Sequence, residues 1–298
     1  MSAPPCVDRA ASWRLDLRAP GLVAAAAALG ACARVETIPS DPPTSPEQWC
    51  AARPCVHLGG VVLDQPFGTL LVFALAALWV AVGAGIWRSR AGERSRAWLA
   101  VALVLGGVGA ALAGTSCQAF GYELECAGRP VCVSTNWLEV GYLITQAASV
   151  SAMLAAVAHA CATGAWRRAI LAYAAASAVV YTILAVTGAL VPVAALISFD
   201  VFVAFAGPAL LVVLAVGALR AWRRRDALGR SLVVAALWLV LTFTAYYAWA
   251  AAGVTTALWG GGAGFYFSEN DVLHVGMISW LVYAGAVVAR RLRDVDAG

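Results

Sequence analysis

The chain has 298 residues, of which 62% are hydrophobic and 12% are charged, and its formal net charge is +4. Soluble domains contain about 45–50% apolar and about 25% charged residues, so this composition excludes an ordinary soluble domain and indicates a membrane protein. All twenty basic residues are arginines, which is typical of a GC-rich bacterial genome. The positive charge is therefore not taken as a sign of nucleic-acid binding.

Residues 21–31, GLVAAAAALGA, form the first apolar stretch. It is too short to span a membrane, follows three arginines and ends in small residues, so we predict a signal segment over 1–31. The four residues LGAC at 29–32 resemble a bacterial lipobox, which implies cleavage before Cys32 and lipidation of its thiol. The alternative is an uncleaved signal anchor that forms an eighth, short helix. Residues 32–65 then form an extracytoplasmic, cysteine-containing linker.

Seven longer apolar stretches follow. A helix needs about 20 mostly apolar residues to cross the hydrocarbon core, and little chain is left between the stretches for a soluble domain. We therefore predict an all-α, polytopic membrane protein whose seven-helix transmembrane bundle occupies residues 66–298. The predicted spans are 66–87, 98–116, 138–162, 168–190, 193–219, 231–252 and 272–290.

The arginines predict the orientation of the bundle. Seventeen of them lie near the start of the chain or in alternate connections, and only Arg34, Arg53 and Arg129 fall on the other side. Positive charge accumulates on cytoplasmic loops, so the first full span is expected to enter from outside and the C-terminus to be cytoplasmic. The expected location is the inner (plasma) membrane of a bacterium.

Five cysteines fall on the arginine-poor side, where an oxidising compartment permits disulfides. The stretches CAARPCV (50–56) and CAGRPVCV (126–133) share a pattern, so either each loop closes on itself or the two loops are bridged to each other. A redox function would require a Cys-x-x-Cys pair with a lowered thiol pKa, and the chain has no such pair. Structural disulfides are therefore predicted for Cys50, Cys55, Cys126 and Cys132, with Cys117 left over.

Polar residues gather near the outer ends of the spans, where an ionisable side chain is costly unless it faces a cavity or a partner. Glu139, Tyr142, Gln146 and Ser149 recur at helical spacing and share one face. Asn270 and Asp271 precede His274 by four and three residues, so they can meet on one face as well. The predicted ligand-binding residues are Ser116, Gln118, Glu139, Tyr142, Gln146, Asp200, Asn270, Asp271 and His274.

Each of these residues also has a structural interpretation. Glu139, Asn270 and Asp271 can lie at the membrane interface without a ligand. Asp200, about two turns into its span, needs a partner or a proton. It either forms a hydrogen bond with His274 or with a tyrosine that holds two helices together, or it shares a ligand, proton or metal site with His274.

The seven spans, NWLEVGYLITQAAS (136–149) and ENDVLHVGMISW (269–280) resemble the superfamily of alkaline ceramidases and progestin/adiponectin receptors. This resemblance implies zinc-dependent lipid amide hydrolysis, with a serine and a histidine on the second span, an aspartate nearby and two histidines on the last span. Ser116 and His274 match two of these positions. Phe120 and Ile278 stand where the family has histidines, and Asp200 is on a different span from the family's aspartate.

Three functions are compatible with these residues. The first, which the missing zinc ligands favour, is binding of a membrane lipid or small molecule in a polar cavity open to the extracytoplasmic side. The second is a metal-dependent lipid amide hydrolase with zinc held by His274 and Asp200, supported by Glu139. The third is a proton-coupled transporter, for which broken helices are expected; the breaks are Pro208 and GGGAGF at 260–265. No nucleic-acid motif is present, and the sequence does not decide whether the protein is an enzyme.

Overall fold

The computed structural model describes residues 34–295. The predicted signal segment over 1–31 and the predicted lipidation of Cys32 lie outside the described residues.

Seven helices in this range are long and apolar enough to cross a membrane, which confirms the predicted all-α bundle. The last turn of the second helix, Gly114–Ala119, and the turn Ala284–Val288 in the seventh are π-helical. We number the helices α1 (Pro66–Arg88), α2 (Arg94–Ala119), α3 (Trp137–Cys161), α4 (Gly164–Leu190), α5 (Phe199–Arg224), α6 (Ala227–Ala251) and α7 (Glu269–Arg291).

Four of these helices begin at a residue whose side chain accepts hydrogen bonds from free backbone N–H groups of the first turn. Asn136 caps α3, Ser198 caps α5 and Asp226 caps α6. Ser268 caps α7 in a reciprocal arrangement with Asp271. The polar residue before each apolar run therefore fixes where the helix starts.

Six helices form a closed ring. In order, α1 packs on α2, α2 on α3, α3 on α5, α5 on α6, α6 on α7, and α7 back on α1. Helix α4 lies outside the ring and packs mainly on α3. Helix α1 packs tightly on α2 at Gly106, where an added Cβ would lie 1.9 Å from the indole ring of Trp79, so no larger residue fits.

One end of the bundle is covered by a folded layer, which we call the cap and which comprises residues 34–65, 120–136 and 252–268. It contains the short helices Pro46–Ala52 and Val254–Gly260, the π-helical turn Tyr122–Cys126 and an antiparallel pair of strands. These strands are β1 (Cys55–Leu58) and β2 (Val61–Asp64). The segment 32–65 was predicted as a linker, but from residue 34 onward it is part of this folded layer.

Buried Asp64 holds the cap together. Its Oδ2 accepts hydrogen bonds from Trp49 Nε1 at 3.1 Å and from the backbone N–H of Tyr122 at 2.7 Å. Trp259 Nε1 donates to the Ala51 carbonyl at 3.0 Å, which ties the third segment of the cap to the first. Burial raises the pKa of Asp64, although these two hydrogen bonds to its carboxylate oppose the shift.

Two disulfides lie in the cap, Cys50–Cys55 and Cys126–Cys132. Each cysteine loop therefore closes on itself, and the alternative of a bridge between the loops is wrong. Among the described residues, Cys117 and Cys161 carry free thiols. The opposite end of the bundle, which we call the arginine end, carries the arginine-rich connections.

Candidate ligand-binding cavity

The ring encloses an elongated cavity of about 950 Å³. All six ring helices line it, whereas α4 does not. Along α7 the wall runs from Asn270 to Val288, which is about 27 Å at 1.5 Å per residue. A cavity of this volume lies at the upper end of the range for small-molecule sites, and its length approaches that of the hydrocarbon core of a bilayer.

The wall is polar at the cap end and apolar towards the arginine end. The apolar part is formed by residues such as Leu99, Leu232, Trp280 and Val288. Such a wall complements a molecule with one polar end and a long apolar body. The polar part comprises Cys117, Gln118, Glu139, Tyr142, Gln146, Thr244, Tyr246, Tyr247, Asn270 and His274.

The predicted polar face of α3 lies on this wall, since Glu139, Tyr142, Gln146 and Ser149 all line the cavity. Three of these side chains also connect α3 to α2. Gln146 Nε2 donates to the Gly106 carbonyl at 3.2 Å, and Ser149 Oγ donates to the Ala102 carbonyl at 2.7 Å. The Glu139 carboxylate accepts a hydrogen bond from the Cys117 thiol of α2, so all three side chains have structural partners on that helix.

Three buried polar atoms on the cavity wall have no hydrogen-bond partner within the described chain. They are Gln118 Oε1, His274 Nδ1 and, about halfway along α1, Trp79 Nε1. Gln118 is 3% exposed and His274 is 7% exposed. A buried polar group without a partner costs about 1–3 kcal/mol, so these atoms are suited to contact polar groups of a bound molecule.

The structure places three predicted site residues away from the wall. The Ser116 hydroxyl donates a long hydrogen bond of 3.4 Å to the Ala113 carbonyl of its own helix. Asp200 is exposed and accepts a hydrogen bond from Tyr247 at 2.9 Å, which links α5 to α6. Asp271 is buried and caps α7 through Ser268. None of the three belongs to the cavity lining.

These positions do not fit the predicted zinc site of His274 and Asp200 with Glu139. Glu139 and His274 line the cavity, but Asp200 instead contacts Tyr247. Within residues 34–295, no three His, Cys, Asp or Glu side chains are close enough together to hold a metal ion. A catalytic zinc typically needs three such ligands, so the donor set needed for zinc is not assembled here.

The exposed part of the cavity wall is lateral. Val240, Thr244, Tyr247 and Ala248 line the cavity and are also exposed, and they lie on one face of α6. Nearer the arginine end, α6 packs closely on α5, since a Cβ at Gly229 would lie 2.5 Å from the backbone of α5. This exposed part of the wall, which we call the lateral opening, therefore lies in the half nearer the cap, beside the Tyr247–Asp200 hydrogen bond that joins α6 to α5.

Glu125, which the sequence pattern did not single out, is buried in the cap near the cap end of the cavity. Asn136 Nδ2 donates to its Oε1 at 2.9 Å. Burial, together with the nearby Glu139 carboxyl, raises the pKa of Glu125 to about 9. Its position just before a cysteine loop gave no signal, because only the tertiary structure brings it to Asn136 at the start of α3.

Comparison of the chain with models of known protein families, with curated proteins and with solved structures found no match.

Proposed function

We propose that this protein binds a single membrane lipid, or a molecule of similar amphiphilic shape, inside the ring of helices. The observation that carries the proposal is the cavity of about 950 Å³ with a polar cap end and a long apolar remainder. A lipid headgroup with hydrogen-bond donors and acceptors would contact His274 and other polar side chains of the cap end, such as Asn270. The apolar body would extend towards the arginine end along the wall that α7 forms from Trp280 to Val288.

The lateral opening supports the lipid over a water-soluble ligand. A lipid in the bilayer would enter between α5 and α6, past the exposed stripe of Val240, Thr244, Tyr247 and Ala248. Pro208 lies within α5, next to the cavity-lining residues Gly207 and Ala209. Because proline cannot donate the hydrogen bond of a helix interior, α5 is expected to deform there more easily than the other helices.

We also propose that the protein lies in the bacterial plasma membrane with the arginine end in the cytoplasm. The charge asymmetry supports this orientation through the preference of arginine for cytoplasmic loops. The opening would then face the outer leaflet. Lipidation of Cys32 and a distant relation to the alkaline ceramidase and progestin/adiponectin receptor superfamily are retained as proposals on the sequence motifs alone.

The positions of the described residues do not favour a lipid amide hydrolase over a lipid-binding protein. Ser116 lies off the cavity wall, and a zinc ligand set is not assembled around His274. Binding without chemistry is therefore the function that the arrangement supports best.

The test is to fill the cavity and measure the bound lipid. Ala206 of α5 lines the cavity, whereas Ala204 on the same helix is exposed on the outside of the bundle. We expect wild-type protein, purified in detergent, to retain about one lipid per chain by native mass spectrometry. Ala206→Trp should reduce the retained lipid at least about tenfold, and the control Ala204→Trp should leave it unchanged. A lipid-free wild-type protein, or equal retention in both variants, would refute the proposal.

A further inference from the structure

At the cap end of α1, beside the cavity wall, two oxygen atoms and the side chain of Gln118 surround the space over Gly68. An added Cβ at Gly68 would lie 3.0 Å from Asp271 Oδ1, 3.6 Å from Gln65 Oε1 and 3.5 Å from Gln118 Cγ. Because residue 68 is a glycine, the space that this methyl group would fill is free. The side chains around it come from the start of α1, the end of α2 and the start of α7.

Three oxygens of these side chains are buried and without a hydrogen-bond partner within the described chain, namely Asp271 Oδ1, Gln65 Oε1 and Gln118 Oε1. The residues that carry them are between 1% and 5% exposed. Asp271 Oδ2, in contrast, accepts hydrogen bonds from the backbone N–H and the hydroxyl of Ser268. The capping of α7 therefore uses one carboxylate oxygen and leaves the other directed at Gly68.

The local backbone is unusual at two of these positions. Gln65 has φ of +40°, in the left-handed region that non-glycine residues rarely adopt. Gln118 lies in the π-helical turn at the end of α2. Both features cost free energy, and such features concentrate at functional sites.

The charge of the site is not balanced by the protein. Asp271 takes part in neither salt bridge of the described chain, Arg129–Glu36 and Arg220–Asp226. Its charged neighbour Glu269 is also acidic. A buried carboxylate without a counter-charge is strongly unfavourable, so Asp271 requires either a proton or a cation beside it.

We propose that Asp271 Oδ1, Gln65 Oε1 and Gln118 Oε1 bind one Na⁺ ion over Gly68. Carboxylate and amide oxygens are the ligands of hard cations, and the absence of sulfur or imidazole among these donors argues against a transition metal. A single carboxylate balances one positive charge, which favours a monovalent ion over Ca²⁺. A proton on Asp271 would satisfy only two of the three oxygens, whereas a cation contacts all of them.

Gln118 also lines the cavity, so the cation site adjoins the proposed lipid site. The Na⁺ proposal does not depend on the lipid, because its test uses the ion alone and the lipid content is measured separately.

The direct test is binding of radioactive ²²Na⁺ to the purified full-length protein in detergent. We expect saturable binding of one ion per chain that unlabelled Na⁺ displaces and that choline, K⁺ and Ca²⁺ do not. Binding no higher than in a choline control would overturn the site and would mean that the two amides donate hydrogen bonds to Asp271. Equal displacement by K⁺ or Ca²⁺ would overturn the assignment to Na⁺.

Two variants connect the binding to this space. Gly68→Ala fills it with a methyl group, and Asp271→Asn removes the negative charge; each should weaken Na⁺ binding at least about tenfold. The matched control is Gly85→Ala on the same helix, where an added Cβ meets no atom within 4 Å. We expect its affinity to stay within about twofold of wild type. If Asp271→Asn fails to fold, Gly68→Ala decides alone, and an unchanged affinity in that variant refutes the proposal.

Discussion

The thiol of Cys117 donates a hydrogen bond to Glu139 Oε1 over 3.1 Å, joining the end of α2 to the start of α3 at the wall of the cavity. A buried carboxylate that loses its donor costs about 1–3 kcal/mol. We therefore expect Cys117→Ala to lower the free energy of unfolding by about that amount. Cys117→Ser, which keeps a donor, should lie closer to wild type. Thermal unfolding in detergent measures both, and equal effects of the two variants would show that this hydrogen bond is not the cause.

The raised pKa of Glu125 predicts how stability depends on pH. Its ordinary pKa is 4.5 and its pKa in the folded protein is about 9. Between these two pH values the folded chain therefore holds a proton that the unfolded chain has released. The stabilisation is complete below about pH 4.5 and is lost as the pH rises through about 9.

Glu125→Gln is expected to flatten this dependence, because the amide carries no proton to lose and its oxygen can still accept from Asn136. One pKa unit corresponds to about 1.4 kcal/mol, so the free energy of unfolding of wild type is expected to fall by at least that amount as the pH rises. Unfolding curves from about pH 5 to about pH 9 provide the measurement. The same slope in both proteins would contradict the assignment to Glu125.

The two disulfides are expected to contribute unequally to stability. A link that closes a loop of six or seven residues contributes about 2 kcal/mol through the unfolded state. Cys126 and Cys132 are fully buried, whereas Cys50 and Cys55 are partly exposed. Replacing the buried pair with alanines also removes packing, so this double variant should unfold at a lower temperature than Cys50→Ala/Cys55→Ala. The opposite order would be incompatible with this argument, and mass spectrometry of non-reduced peptides should find both links in wild type.

At the arginine end, Asp294 caps α2 from a distant part of the chain. Its two carboxylate oxygens accept hydrogen bonds from the backbone N–H groups of Arg94 and Ser95, each at 2.8 Å. Burial opposes ionisation, but these hydrogen bonds outweigh it and lower the pKa of Asp294. Loss of a helix cap costs about 0.5–2 kcal/mol, so Asp294→Ala should lower the stability by that amount, and Asp294→Asn by less.

This contribution also depends on pH in a defined direction. Because the pKa of Asp294 is lowered on folding, the stabilisation is present above its ordinary pKa of 3.8 and is lost as the pH falls through the folded value. Unfolding of wild type and Asp294→Ala should therefore converge at the acidic end of the range. A constant difference at every pH would indicate lost packing rather than a lost cap.

The sequence by itself determined the features that depend on residues close together in the chain. Apolar run length gave the seven helices, and helical spacing gave the face of α3 that carries Glu139, Tyr142, Gln146 and Ser149 to the cavity wall. The fold class followed because crossing a bilayer requires one long apolar segment per span. The cysteine pattern left two pairings open, since connectivity is a property of the folded chain.

Only the tertiary structure decided which helices are neighbours, and the neighbouring helices determine which side chains meet at the site. The sequence left open whether Asp200 pairs with His274 or with a tyrosine, and its position on α5 directs it to Tyr247 on the neighbouring helix. Gln65, Gly68 and Asp271 are separated by up to about 200 residues and meet because α7 packs against α1. The spacing of residues along the sequence shows on which face of its own helix a residue lies. Which helix packs against that face depends on close side-chain packing, such as that of Trp79 on Gly106.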